Sequence, residues 1–142
     1  MAARMTAEDR LDVIDLIADY GFTLEAGDLD AFVNNFTPDG IWQGGGGTHV
    51  GREAIKTFVA GLVAKKQDGP EGHRHILGIP RVTGDGERCQ AQTYVIIPGE
   101  GQEDSISLIS IGTYRDEIVK LDGKWLFAHR HLQMFARRAI GG

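Results

Sequence analysis

SISLISIGTYRDEIVKLDGKWLFAHRHLQMFA, residues 105–136, reads as two β-type runs, 105–119 and 124–136, joined by the turn sequence LDGK. An Asp-Gly pair between apolar and aromatic runs signals a hairpin, because both residues tolerate the backbone conformation that such turns require. Runs of this length exceed the usual strand, and a sheet built from long strands must twist and curl.

Working outward from this hairpin, residues 88–98 and 73–82 are two more β-type runs, set off by the turn compositions PGEGQED and GDGE. The N-terminal half has a different period. Thr6 with Glu8 and Asp9 marks a helix start, and Leu11, Ile14, Leu16, Ile17, Tyr20 and Leu24 recur at mostly helical spacing up to a cap at Gly27. Asp28 can cap a second helix over LDAFVNNF, with Phe32 and Phe36 four apart on one face. Thr37-Pro38-Asp39-Gly40 is a turn composition, Ile41 and Trp42 form a short strand, and residues 51–66 return to helical spacing through Ile55, Phe58, Val59, Leu62 and Val63. Helices first and an antiparallel meander afterwards predict an α+β domain rather than a parallel βαβ sheet. Helices packed on one face of a curled sheet leave a pocket. With no linker and no repeat, residues 1–142 are expected to form one domain.

Composition narrows the function classes. A formal net charge of −5 argues against nucleic acid as a partner, since phosphate recognition needs a concentrated basic surface. Arg137 and Arg138 with Arg130 make too small a cluster. No apolar run reaches a membrane span, and MAARMTAEDR lacks the apolar core of a signal peptide, so a cytoplasmic protein without a membrane partner is expected. Cys89 is the one cysteine and reads as a strand residue rather than a nucleophile. The run Gly44–Gly47 lacks the Gly-Lys-Ser/Thr ending of a phosphate loop and reads as a flexible segment over the pocket.

The layout resembles the SnoaL-like group of the nuclear transport factor 2-like superfamily, which includes polyketide cyclases, scytalone dehydratase and hexachlorocyclohexane dehydrochlorinase. The resemblance covers nearly the whole chain and rests on YGFTLEAGDLDAFVNNFTPDG at 20–40, GREAI at 51–55, HRHILGIPRV at 73–82 and DGKWLFAHRHL at 122–132. It implies a cone-shaped α+β barrel, with N-terminal helices packed on a strongly curled, mostly antiparallel sheet around a pocket. It also implies a dyad in which a carboxylate at the end of the first helix orients a strand histidine. Glu25 falls at the carboxylate position, where the dehydratase pattern has Asp, and His75 at the histidine position. Tyr20 falls on a polar residue facing substrate, Arg130 on a basic residue and Tyr114 on an aromatic wall position. Ile79 departs from the Asn that many of these sequences carry.

The residues themselves leave alternatives open. His73 and His75, two apart in an extended run, share a face, as do His129 and His131; four histidines from two strands could meet around a metal, although no metal site is the preferred reading. His75 suits a proton acceptor, because an imidazole titrates near neutral pH. His73 suits a solvent-exposed rim. Either Arg130 faces inward with Ala128 and Leu132, or Phe127, His129 and His131 do, since alternate residues of a strand face opposite sides. Phe22, Phe32, Phe36 and Phe58 are assigned to packing. The expected function is therefore a cofactor-independent lyase or isomerase, dehydratase- or cyclase-like, acting on a small apolar cyclic or aromatic substrate. His75, Glu25 and Arg130 are its candidate catalytic residues, and Tyr20, Trp42, Tyr94 and Tyr114 its candidate pocket wall. The competing expectations are a non-catalytic small-molecule binder and a structural subunit of a larger oxygenase assembly. Ile109 and Ile111 on one face, with Leu108, Ser110 and Gly112 on the other, give both sheet faces a need for cover, and so a homodimer or homotrimer is expected.

Overall fold

The computed structural model describes residues 2–136; Arg137 and Arg138 lie outside the described residues. The chain runs α1 (Ala7–Ala26), α2 (Leu29–Val33), β1 (Phe36–Gly44), β2 (Gly47–Val50), α3 (Arg52–Ala64), β3 (Ile76–Leu77), β4 (Arg81–Gly84), β5 (Arg88–Glu100), β6 (Ile106–Leu121) and β7 (Lys124–Ala136). The strands form one open sheet in the order β2-β1-β7-β6-β5-β3, with β4 also on β5; β1 and β7 run parallel, the other pairs antiparallel. This is the α+β architecture the two periodicities predict, with the helices against the inner face of the sheet. Among the described residues, no helix is long and apolar enough to cross a membrane.

The helix α1 starts on a capping box, Thr6 and Asp9 bonding each other's backbone N–H, and stops at Gly27, whose φ of 73° only glycine adopts cheaply. The Asp9 carboxylate also accepts from Trp125 Nε1 and Lys120 Nζ, both at 3.1 Å, which ties the start of α1 to the last hairpin. The Thr6 backbone N–H first, then Trp125 and the Thr6 hydroxyl, hold Asp9 well below the usual carboxylate range, with burial opposing them and Lys120 adding least. Its buried stripe is Val13, Leu16, Ile17, Tyr20 and Leu24, whereas Leu11 and Ile14 are exposed, as is Phe22, which therefore does not serve as packing. The β6–β7 turn is the expected Asp122-Gly123 pair, both at positive φ.

Three local readings change. The second helix ends at Val33, and Phe36 opens β1, yet Phe32 and Phe36 still pack with ring centroids 6.0 Å apart. Thr37-Pro38-Asp39-Gly40 is not a turn but a bulge inside β1, where the register to β7 jumps from Phe36↔Phe127 to Ile41↔His129. The run Gly44–Gly47 closes the β1–β2 hairpin, Gly44 pairing Gly47.

Bulges also decide which side chains face inward. In β5 the alternation is regular, with Cys89, Ala91, Thr93, Val95 and Ile97 buried and Gln90, Gln92, Tyr94 and Ile96 exposed. In β7 a register shift between Phe127 and His129 breaks the period, so Phe127 and Arg130 are both fully buried while His129 and His131 are not. A second shift in β6 lets Ile109 and Ser110, neighbours in sequence, both line the interior cavity. Burial pushes the Cys89 thiol up to about 11, consistent with a packed strand residue.

Candidate functional site

Between the helices and the inner face of the sheet lies a cavity of about 390 Å³, within the range of small-molecule sites. Most of its wall is apolar, from Leu24, Val59, Leu62, Ile97, Leu132 and Met134. Trp42 and Phe58 close one side, their ring centroids 4.8 Å apart, and His49 stacks behind Phe58 at 4.1 Å. Glycine makes this closure possible: a Cβ on Gly44 would lie 2.6 Å from the Trp42 ring, and one on Gly46 2.5 Å from Phe58 Cζ. Gly46→Ala is therefore expected to cost about 1–3 kcal/mol by overpacking this wall. The control is Gly61→Ala in α3, where an added Cβ meets nothing within 4 Å and alanine favours the helix. Urea unfolding of both variants checks the contrast.

Two polar groupings face the cavity. The first is built on the segment after α3. The backbone of residues 67 and 68 folds back onto Leu62 O, and His73 N donates to Gln67 O at 2.9 Å. Arg74 clamps the carbonyls of Gly69, Pro70 and Gly72 at 3.1–3.3 Å, and Pro70 packs on Gly27 at the end of α1. The result carries Asp68, His73 and His75 to the cavity wall. His73 and His75 are thus in an irregular segment before β3, not in a strand, and His73 lines the cavity rather than a solvent rim.

His75 lies between two carboxylates. Glu25 Oε1 accepts a hydrogen bond from His75 N at 2.8 Å and sits 3.7 Å from His75 Nδ1. On the other side of the ring, Asp68 Oδ1 is 3.7 Å from Nε2. Both distances exceed a hydrogen bond, and Nδ1 has no partner among the described residues. The His75 side chain is only 7% exposed. Burial pushes both carboxyls up, but for Glu25 the adjacent His75, through its backbone N–H and its ring, together with the Arg74 charge, outweighs it and holds the group below its usual range. Asp68, lacking such bonds, stays above its own, with His75 and His73 pulling only partly against burial. Nothing in QDGPEG beyond a helix break marks Asp68 as a site residue, because its position depends on a loop folded back on α3.

The second grouping is the floor. Tyr20 and Tyr114 line the cavity, their rings 5.6 Å apart; Trp42 Nε1 donates to the Tyr20 hydroxyl at 2.9 Å, while the Tyr114 hydroxyl has no partner among the described residues. Burial raises both phenols above their ordinary value, Arg130 pulling the other way, so both remain protonated donors. Arg130 faces inward but does not line the cavity. Its guanidinium lies under the Tyr114, Tyr20 and Phe127 rings at 3.6, 4.1 and 4.5 Å, with Nε 3.0 Å from Asp116 Oδ1. Its charge reaches a bound molecule only through the two tyrosines.

The remaining candidates fall elsewhere. Tyr94 is 74% exposed on the outer face of β5 and forms no part of the cavity, because β5 keeps strict alternation and even-numbered residues there point out. His129, bonded to Gln43 Oε1 at 2.9 Å, and His131 sit on β7 away from the cavity, so the four histidines do not converge. Among the described residues, no three His, Cys, Asp or Glu side chains group as metal ligands.

Solved structures share this fold. A protein of unknown function with a cystatin-like fold from Nostoc punctiforme superposes with a TM-score of 0.82 at 21% identity, over 92% of this chain and 94% of that one. An NTF2-like protein from Novosphingobium aromaticivorans gives 0.80 at 23%, over 95% and 84%. Hexachlorocyclohexane dehydrochlorinase from Novosphingobium barchaimii gives 0.79 at 20%, over 95% and 92%. Among curated proteins, none matches the chain. Residues 5–131 match the SnoaL-like domain, and with the helices, the open sheet and the cavity between them in place, the chain belongs to the SnoaL-like family with its NTF2-like, cystatin-like fold.

Proposed function

We propose that the protein is a cofactor-independent lyase or isomerase that removes a proton from a small, largely apolar cyclic or aromatic substrate. His75 is the base, and Glu25 holds its ring with Nδ1 toward the carboxylate and Nε2 toward the cavity. The observation that carries this reading is the placement of a nearly buried imidazole between an ionised carboxylate and an apolar cavity of ligand size. Tyr20 and Tyr114 offer hydroxyls to the charge that develops on the substrate, with Arg130 behind them, and Trp42 forms the wall. The dehydrochlorinase among the structural relatives is named for an elimination of this general kind. The direct test uses 5-nitrobenzisoxazole, an aromatic bicycle that opens when a base takes its ring proton. Wild-type protein should accelerate the opening and His75→Ala should not. Equal rates would point instead to a binding protein that uses the same cavity.

We also propose self-association, as a dimer or trimer, through the outer sheet face. Tyr94, Ile96, Ile76 and Ile79 are exposed there on neighbouring strands and loops, a contiguous apolar surface that a monomer leaves wet. Sedimentation velocity at micromolar concentration should show an oligomer; a monomer alone would remove the proposal.

A further inference from the structure

Two histidines of the last strand take no part in the cavity or its chemistry. His129 and His131 of β7 share a shallow depression on the outer sheet face with Gln90 and Gln92 of β5, which point away from the helices. Across the ladder, His129 stands opposite Glu117 of β6 and His131 opposite Arg115. The two rings lie 6.4 Å apart between centroids, their planes 29° from parallel, and both side chains are half-buried. His129 Nε2 donates to Gln43 Oε1 of β1 at 2.9 Å. A metal-ligating imidazole is held in this way, because one ring N–H spent on a fixed acceptor leaves the other nitrogen, here Nδ1, with an open lone pair.

We propose that His129 and His131 are half of a Zn²⁺ site, completed by the same pair from a second copy of this chain across the outer sheet faces. This rests on the self-association proposed above, not on the reading of His75 as a base. Two imidazoles on one tetrahedral ion, with bonds of about 2.1 Å, place their ring centroids about 5 Å apart. The pair therefore has to close by about 1 Å. A small side-chain rotation supplies that for two residues already on one face of a strand. Imidazole donors suit Zn²⁺ and Cu²⁺ and select against Mg²⁺ and Ca²⁺, which take oxygen.

The second copy is needed because one chain leaves the set incomplete: among the described residues, no third His, Cys, Asp or Glu groups with the pair. Zn²⁺ almost always takes four ligands in a structural site. A two-fold contact brings the same patch of both copies together, so a pair near the axis meets its own image and two ligands become four. The position suits such an axis. His131 lies on the face of Tyr94, two strands across through Arg115 and Gln92, and an interface of about 800 Å² per partner spans both. Glu117 beside His129 attracts the ion and Arg115 beside His131 repels it, although Arg115 Nε is held to Gln133 Oε1 at 2.6 Å. A shared cation also offsets the repulsion between two chains that each carry a formal net charge of −5.

The experiment titrates untagged protein, stripped with EDTA, with ZnCl₂; calorimetry reads the stoichiometry and sedimentation equilibrium the assembly. One Zn²⁺ should bind per two chains, and free Zn²⁺ at about 100 times its dissociation constant should tighten the dimer by about 100-fold through mass action. His129→Ala and His131→Ala should each lose the tight binding and the effect on assembly. Both should keep the wild-type urea midpoint, since neither side chain belongs to the core. His49→Ala, which removes a histidine of β2 instead, should keep both effects. Co²⁺ in place of Zn²⁺ should give the intense visible absorption of a four-coordinate ion. One ion per chain, Zn²⁺-driven assembly that survives His131→Ala, or no binding by a protein that dimerises in EDTA would each overturn the shared site and leave self-association standing. A chain that stays monomeric with and without Zn²⁺ removes both.

Discussion

Arg130→Ala is expected to destabilise the folded chain by about 3–5 kcal/mol, the cost of leaving a buried charge without its partner, and to lower Tm by about 10–20 °C. Arg130 is fully buried and Asp116 nearly so, and the guanidinium fills the space under three aromatic rings, so the variant loses both a counter-charge and a packed slab. The 3.0 Å pair is poorly aligned, since none of these nitrogens or oxygens makes a well-formed hydrogen bond among the described residues. Its attraction therefore offsets the desolvation of the charges incompletely. Burial accordingly pushes Asp116 up to about 6 even with Arg130 pulling it down. A carboxyl whose folded pKa is raised contributes stability below its unfolded value, near 3.8, and loses that contribution as pH rises through the folded value. Without Arg130 the folded value moves higher still, so the deficit of Arg130→Ala should shrink toward acid pH and grow toward neutral. Replacing both partners, as Arg130→Met with Asp116→Leu, should recover much of the loss, because no charge is then left buried. Urea unfolding across this pH range is the measurement; an Arg130→Ala within about 1 kcal/mol of wild type at neutral pH would show that the pair contributes nothing specific.

His75→Ala is expected to lower the rate of base-catalysed proton removal by about 10²–10⁴-fold, the usual contribution of a positioned base. Glu25 separates geometry from charge in this effect. Glu25→Gln keeps an acceptor for His75 N and so should keep the segment in place, but it removes the negative charge 3.7 Å from Nδ1. Its rate should lie between wild type and His75→Ala. Glu25→Ala also leaves the His75 N–H unsatisfied and should add a loss of stability of about 1–3 kcal/mol. The Glu25 contribution to folding runs with the opposite sign to that of Asp116. Its folded pKa is depressed, so the stability it brings is present above the unfolded value near 4.5 and lost as pH falls through the lower folded one. Rates on 5-nitrobenzisoxazole and chemical denaturation together check the series. A Glu25→Gln that equals wild type in rate would reduce Glu25 to a backbone anchor.

Much of the molecule is legible in one dimension. The bounds of α1, the Asp-Gly hairpin and the long β5, β6 and β7 follow from caps, turn residues and hydrophobic period, all of which act over a few residues. Glu25 and His75, named together from a family resemblance 50 residues apart, do meet. Tyr94, expected at the pocket wall, faces outward for a simple reason: an aromatic residue in a strand has an even chance of either face, and only the register of β5 settles it. Arg130 and Phe127, read as alternatives because they differ in parity, are both inside, since one extra residue at a bulge resets the alternation. The same device in β6 brings Ile109 and Ser110 together at the cavity.

The order of helices and strands, and hence the α+β class, was determined by the sequence alone, because periodicity and turn chemistry are properties of neighbouring residues. Which polar groups share the cavity was decided only by the tertiary structure. Asp68 lies near His75 because a loop closes back on α3, and Arg130 is sealed under Tyr20 and Tyr114 because the β7 bulge turns it inward beneath rings that α1 and β6 supply. Contacts of that kind depend on burial and on bulges, and neither is a property that a short stretch of chain carries by itself.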